Sequence, residues 1–262
     1  MGLVGFGAPG CLSQARYSGI VVGRTRRKLR MMLRLQRWAG LRDFKLKVAV
    51  PGWEERLAWT HEMLGAAIAK NKATLRVDAN AGWTLAEATE AIETLERFGV
   101  SAIEQPLPDA NDPDLSYLAE QTECGLVADE SLLTLDDADR LIAGGGVRVM
   151  NIRIAKNGGF LPSLRIARMA LASGLDVQLG CLVGETSILS AAGIAFLETC
   201  PKVRFVEGAF GPFLLRQDVT RRPVRFGLGG RIRPLRAPGF GVTVSATALR
   251  HLAATRPHIT HL

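Results

Sequence analysis

The sequence predicts an α/β fold in which eight parallel strands close into a (β/α)8-type barrel. Strand-like and helix-like segments alternate through nearly the whole chain, the pattern of a parallel sheet covered by helices. The strand-like segments number eight, the count at which such a sheet closes on itself. The length of 262 residues suits one barrel domain, since such barrels commonly run to about 250 residues undivided. An open, doubly wound sheet is the competing arrangement. Its phosphate-loop spacing is matched only by Gly5, Gly7 and Gly10, too near the N-terminus for a strand to precede them, so the match is read as accidental.

The first strand is expected over residues 17–22. A basic amphipathic helix follows, with Leu29, Met32, Leu33 and Gln36 recurring at helical spacing. Residues 44–50 read as the second strand and 54–70 as the next helix. A third strand is expected at 75–78. The helix over 84–98 has Thr84 as N-cap and Gly99 as its stop. Further strands are read at 102–104, 126–129 and 147–154, each after a helical stretch. Strands at 176–179 and 203–206, with helices at 161–173 and 187–198, complete the set. Residues 1–16 are taken as an N-terminal remnant, 17–217 as the barrel, and 218–262 as an Arg-, Gly- and Pro-rich C-terminal wrap.

Composition excludes several classes. A hydrophobic share of 47% with 22% charged residues describes a soluble globular chain. No apolar run approaches the roughly 18 residues of a membrane span. Pro9, Gln14 and Arg16 interrupt any signal-peptide order. Cys11, Cys124, Cys181 and Cys200 show no metal-ligand or disulfide spacing, so a cytoplasmic protein with reduced thiols is expected. The net charge of +8 is concentrated in two arginine-rich stretches, 24–37 and 216–236. Scarce aromatic residues argue against nucleic acid as their partner and favour solvated or protein-facing surfaces.

The chemistry concentrates at three strand ends. Asp78 lies in Val77-Asp78-Ala79-Asn80, Glu104 in Ile103-Glu104-Gln105-Pro106, and Asp129 in Ala128-Asp129-Glu130-Ser131. Intervals of 26 and 25 residues put the three acids on one rim of the barrel, where barrel enzymes keep their active sites. One such acid would ordinarily cap the next helix. Three converging acids repel unless a cation neutralises them, and a set without His or Cys suits Mg2+ better than zinc. On the second strand Lys45 and Lys47 are two residues apart and share a face, while Phe44, Leu46 and Val48 face the helices. Beside a cation and each other, one such amine becomes a base; the alternative is a strand-edge pair reaching solvent.

The joint order Lys-Leu-Lys, Asp-Ala-Asn, Glu-Gln-Pro, Asp-Glu-Ser, then Lys156-Asn157-Gly158-Gly159, resembles the muconate-lactonizing-enzyme subgroup of the enolase superfamily. The likeness runs over residues 17–244. It implies a Mg2+-dependent enzyme, with Mn2+ able to substitute, that removes a proton α to a carboxylate and stabilises the enediolate on the metal. It implies Asp78, Glu104 and Asp129 as ligands, Lys47 as acid/base, and Lys45 as the cation that holds the substrate carboxylate and depresses the Lys47 pKa. It also implies a small carboxylate substrate and a homo-oligomer.

Three departures shape the expectation. Asn151-Ile152-Arg153 places Arg153 where the family carries a second catalytic lysine, and arginine is a poor base. This disfavours two-base racemisation and leaves elimination or cycloisomerisation with Lys47 as sole shuttle and Arg153 as stabilising cation. Val206-Glu207-Gly208 lacks the Asp-x-Asp of dipeptide epimerases; Glu185, in the loop after the seventh strand, is expected near the reacting centre or at the start of a helix. A first strand at residue 17 leaves no N-terminal capping domain, so only the C-terminal domain is expected, as a truncated form or with a partner that supplies a cap. The alternatives are a racemase in which Lys156 reaches in, and a non-catalytic binding or assembly module. Of the remaining residues, Asn80 is expected to orient Asp78 or cap a helix, and Glu130 to point away. His61 is expected at the surface of a helix, His251, His258 and His261 in a solvated tail, and Trp53, Trp59 and Trp83 in packing.

Overall fold

A computed structural model describes residues 9–108 and 112–255; Gly5, Gly7, His258 and His261 lie outside them. The elements are β1 (Gly19–Val21), α1 (Arg26–Trp38), β2 (Asp43–Lys47), α2 (Trp53–Ile68), β3 (Thr74–Asp78), α3 (Leu85–Arg97), β4 (Val100–Glu104) and α4 (Asp112–Glu120). They continue as β5 (Gly125–Ala128), α5 (Leu135–Gly144), β6 (Val149–Ile152), α6 (Phe160–Ala172), β7 (Asp176–Leu179), α7 (Ser187–Thr199), β8 (Phe205–Val206), α8 (Gly211–Leu214) and α9 (Ala246–Thr255). The eight strands form one sheet in sequence order, every neighbouring pair parallel. The sheet curls until its ends meet. Tyr17 bridges Val206 in parallel, and the Ser18 amide donates to the Val206 carbonyl at 2.8 Å. The fold is the (β/α)8 type.

Strand alternation sorts the side chains into two cores. Phe44, Leu46, Leu75, Val77 and Ile103 are buried in one cluster with helical residues such as Leu33, Leu57 and Leu95. Ala102, Val127, Val149 and Phe205 form a small separate cluster from the other pleat face, inside the barrel. The rest of the interior is polar: Lys45, Arg76, Glu104, Asn151, Gln178 and Glu207 are all buried.

Local signals fix the helices that space these strands. Thr25 caps α1, which is held by buried Leu29 and Leu33, each worth about 1.5–3 kcal/mol of burial. Thr84 and Glu87 close a reciprocal capping box on α3, and Gly99 follows it at φ +70°. A second box, Thr134 with Asp137, starts α5. The C-terminal segment returns to the barrel. Asp218 accepts from the amide and hydroxyl of Ser187 at the start of α7, and the Tyr17 amide donates to the Gly230 carbonyl at 2.9 Å. A Cβ on Gly230 would lie 2.4 Å from the Tyr17 carbonyl oxygen, so this junction requires glycine.

One surface expectation is corrected. His61 is half-buried: its Nδ1 lies 3.0 Å from the Phe98 carbonyl and its ring packs on Phe98 at 5.1 Å. The helix face that carries it turns toward the end of α3 rather than to solvent. Trp53 packs edge-on against buried Trp83. All four cysteines are free, and among the described residues no helix is long and apolar enough to cross a membrane.

Candidate metal and proton-transfer site

The strand register assembles the site at the C-terminal rim. Lys47 pairs with Asp78, and Asp78 with Glu104, so the ends of β2, β3 and β4 stand side by side. Asp129 and Arg153 follow β5 and β6 by one residue, and Glu207 follows β8 by one. The three predicted carboxylates are all buried, at 3%, 1% and 2% exposure for Asp78, Glu104 and Asp129, so each needs a compensating charge or donor.

Lys45 supplies much of that charge. Its Nζ lies 3.1 Å from Glu104 Oε1, 3.4 Å from Asp78 Oδ2 and 2.8 Å from Glu207 Oε1. Burial disfavours the charged amine, but Glu207, Glu104 and Asp78 outweigh it and hold the Lys45 pKa above its ordinary value. Glu104 also accepts from Asn151 Nδ2 at 3.1 Å and Gln178 Nε2 at 2.8 Å. Burial lifts the Glu104 carboxyl to about 7; Lys45 pulls it down, while Glu207, Asp78 and Asp129 push it up. Glu207 goes the other way: burial is overcome by Lys45 and by Arg76, whose Nη2 lies 2.5 Å from Glu207 Oε1.

A second group of cations grips Asp129. Arg153 donates from Nε to Oδ1 at 2.8 Å and from Nη2 to Oδ2 at 2.5 Å. Lys156 Nζ also donates to Oδ1, at 2.5 Å. Burial lowers the Arg153 pKa, but Asp129 outweighs it and leaves the guanidinium above its usual value. For Lys156 burial prevails and the amine is lowered. Gly180 gives Arg153 its path, because a Cβ there would lie 2.9 Å from Arg153 Cγ. Gln105, at φ +37°, fixes the turn that carries Asp129 by accepting from the Asp129 and Ser131 amides.

Lys47 is set apart from this crowd. Its side chain is exposed, and its Nζ donates to Asn80 Oδ1 at 2.6 Å. Asn80 donates its backbone amide to Asp78 Oδ1 at 3.0 Å and its side-chain amide to Glu130 Oε1 at 3.2 Å. Glu185 lies in the loop two residues before α7, accepts from Ser190 Oγ at 3.2 Å, and its pKa is raised by burial. With Arg153, Cys181 and Glu207 it lines a recess of about 20 Å3, room for little more than one water molecule.

Sequence reasoning missed Arg76, Gln178 and Glu207 as members of this network. The signal was present: Arg76 precedes Asp78 by one pleat period, and Gln178 is a lone amide amid the apolar residues Val177 and Leu179.

Three carboxylates without imidazole or thiolate fit a hard divalent cation in kind. Around the site the acceptors Glu130 Oε2, Asn151 Oδ1 and Gln178 Oε1 and the donor Arg76 Nε are buried without a hydrogen-bond partner, so unpaired acceptors outnumber unpaired donors there, which also suits a cation. Among the described residues no three acidic, His or Cys side chains converge closely enough to hold an ion; the carboxylates pair with cations of the chain instead.

The family model "Enolase C-terminal domain-like" matches residues 28–248. The chain belongs to the enolase superfamily. This enolase-like barrel is 30% identical over 212 residues to muconate cycloisomerase 1 of Pseudomonas putida, covering 81% of this chain and 56% of that protein. It is also 30% identical to a hydrophobic dipeptide epimerase of Enterococcus faecalis, over 64% of this chain and 48% of the relative. Muconate lactonizing enzyme from Pseudomonas putida superposes on 92% of the chain, and on 65% of its own, with a TM-score of 0.81 at 27% identity. The chain therefore spans about half the length of the curated relatives it matches. These relatives are enzymes, and members of the superfamily generally bind Mg2+.

Proposed function

We propose that the barrel abstracts a proton α to the carboxylate of a small organic acid, with Mg2+ held by Asp78, Glu104 and Asp129 and with Lys47 as acid/base. The observation that carries this reading is the rim itself. Three buried carboxylates end adjacent strands of an enolase-family barrel, and Lys47 stands in register beside the first of them. Mg2+, with Mn2+ able to replace it, supplies when bound the positive charge that offsets negative charge developing on the substrate carboxylate.

The chain's own residues do the rest. Lys47 takes the α-proton at its exposed Nζ, which Asn80 orients. Lys45, kept protonated by Glu207, Glu104 and Asp78, adds a fixed positive charge where the substrate carboxylate binds and is not itself the base. Arg153 retains its proton near neutral pH and acts as a stabilising cation, so the site has one base. Glu185 bounds the same recess as Arg153 and accepts a hydrogen bond near the reacting centre. A single base suits a same-face elimination or a cycloisomerisation: the proton leaves to Lys47 and, in the reverse direction, returns from it. Residues 17–217 carry this site and the C-terminal segment, described over 218–255, wraps it. The assembly is a homo-oligomer or takes a cap from a partner.

Racemisation through Lys156 is less favoured, because Lys156 is already engaged by Asp129 at 2.5 Å. Arg153 and Lys156 holding Asp129 instead favour, as a second reading, a barrel that binds or assembles without catalysis. Deuterium exchange at the α-carbon of a panel of small carboxylates separates the three. Exchange lost in Lys47→Ala and kept in Lys156→Ala is expected. Exchange lost only in Lys156→Ala indicates the racemase, and no exchange by the wild type supports the non-catalytic reading.

A further inference from the structure

The proposed site contains a contradiction at Asp129. Of its two carboxylate oxygens, Oδ1 accepts from both Arg153 Nε and Lys156 Nζ, which uses its two lone-pair directions. Oδ2 accepts from Arg153 Nη2, leaving one direction free. A bidentate guanidinium–carboxylate pair is among the strong side-chain pairings, and the guanidinium keeps its charge at any ordinary pH.

The pair is also fixed from behind. The Arg153 amide donates to Asn157 Oδ1 at 2.8 Å, and Asn157 Nδ2 donates to the Leu132 and Leu133 carbonyls, tying the loop after β6 to the loop that carries Asp129. The side of the arginine stem facing β7 is closed by the Gly180 backbone.

We propose that Arg153 is an internal competitor for the divalent cation: it lowers the site's metal affinity by holding Asp129, which leaves the ion a single free direction on Oδ2. This rests on the reading that Asp78, Glu104 and Asp129 form the ion site. Lysine at this position reaches one oxygen rather than two, so it is the weaker competitor, and alanine is none. The affinity order is therefore Arg153→Ala above Arg153→Lys above wild type.

Mn2+ titration, followed by calorimetry and by the loss of the free-ion electron paramagnetic resonance signal, tests this order without any turnover. Arg153→Ala is expected to bind Mn2+ at least tenfold more tightly than the wild type, with Arg153→Lys between them. In an Asp129→Asn background the Arg153→Ala substitution should change Mn2+ affinity less than twofold, which a general structural effect of Arg153 would not produce. If Arg153→Ala fails to fold, tighter binding by Arg153→Lys carries the same expectation. Equal or weaker binding by the folded Arg153 variants overturns the proposal and leaves the ion site standing. No Mn2+ uptake by the wild type or any variant overturns both.

Discussion

Replacing Glu207 with Gln removes the one negative charge shared by two buried cations. Arg76 has no exposed surface and Lys45 only 8%, so neither can recover its lost partner from water. Glu207 lies 2.5 Å from Arg76 and 2.8 Å from Lys45, while Lys45 keeps Glu104 and Asp78; among the described residues Arg76 keeps only Ser18 Oγ at 3.2 Å and the Phe205 ring at 4.6 Å. Removing one partner of a buried ion pair costs about 3–5 kcal/mol. In a domain of this size that lowers the melting midpoint by on the order of 10 °C. Urea denaturation and thermal melting of wild type and Glu207→Gln read the effect directly. The double variant Glu207→Gln/Arg76→Met, which removes the stranded guanidinium, should recover part of the loss. A Glu207→Gln protein within about 1 kcal/mol of the wild type would refute the claim that this buried network holds the barrel interior together.

Glu104 makes stability depend on pH. Its folded pKa of about 7 lies above the unfolded carboxylate value, so its contribution is full below about 4.3 and is lost as pH rises through 7. Wild type should therefore gain on the order of 3 kcal/mol between pH 8 and pH 5 relative to Glu104→Gln, measured by urea titration at each pH. Thr84→Ala deletes the capping box of α3 and should cost about 1 kcal/mol in the same assay without altering ion binding. Lys47→Ala should remove α-proton exchange while leaving the melting midpoint near the wild-type value, since Lys47 is exposed and its Nζ bonds only Asn80 among the described residues.

The barrel and its rim were legible in the sequence because both are written in local periods. An apolar run of one pleat length, closed by a carboxylate and repeated at one βα interval, fixes the strand, its end and its rim. Strand 176–179 is matched by β7 (Asp176–Leu179), and the Thr84 cap by α3. Strand lengths were less legible where buried residues continue beyond the pairing. Ile154 is buried but lies in the loop after β6, which pairs with β7 only over Val149–Ile152, so the run at 147–154 is longer than its strand. Long-range partnerships were not legible at all. Lys45 meets Glu207 through closure of the barrel rather than through any spacing along the chain, and Asp129 meets Arg153 between the ends of neighbouring β5 and β6, where strand adjacency alone does not say that the guanidinium takes the carboxylate. Pleat parity says which side chains face inward; it does not say which of them touch.

The proposed chemistry depends on Asp78, Glu104 and Asp129 forming a divalent-cation site. Calorimetric titration of Mg2+ into wild type and Asp78→Asn tests it most directly, since asparagine can keep the hydrogen bond from the Asn80 amide while losing the charge. Saturable binding by the wild type that disappears in Asp78→Asn is expected. Equal binding by both proteins, or none by the wild type, would contradict it.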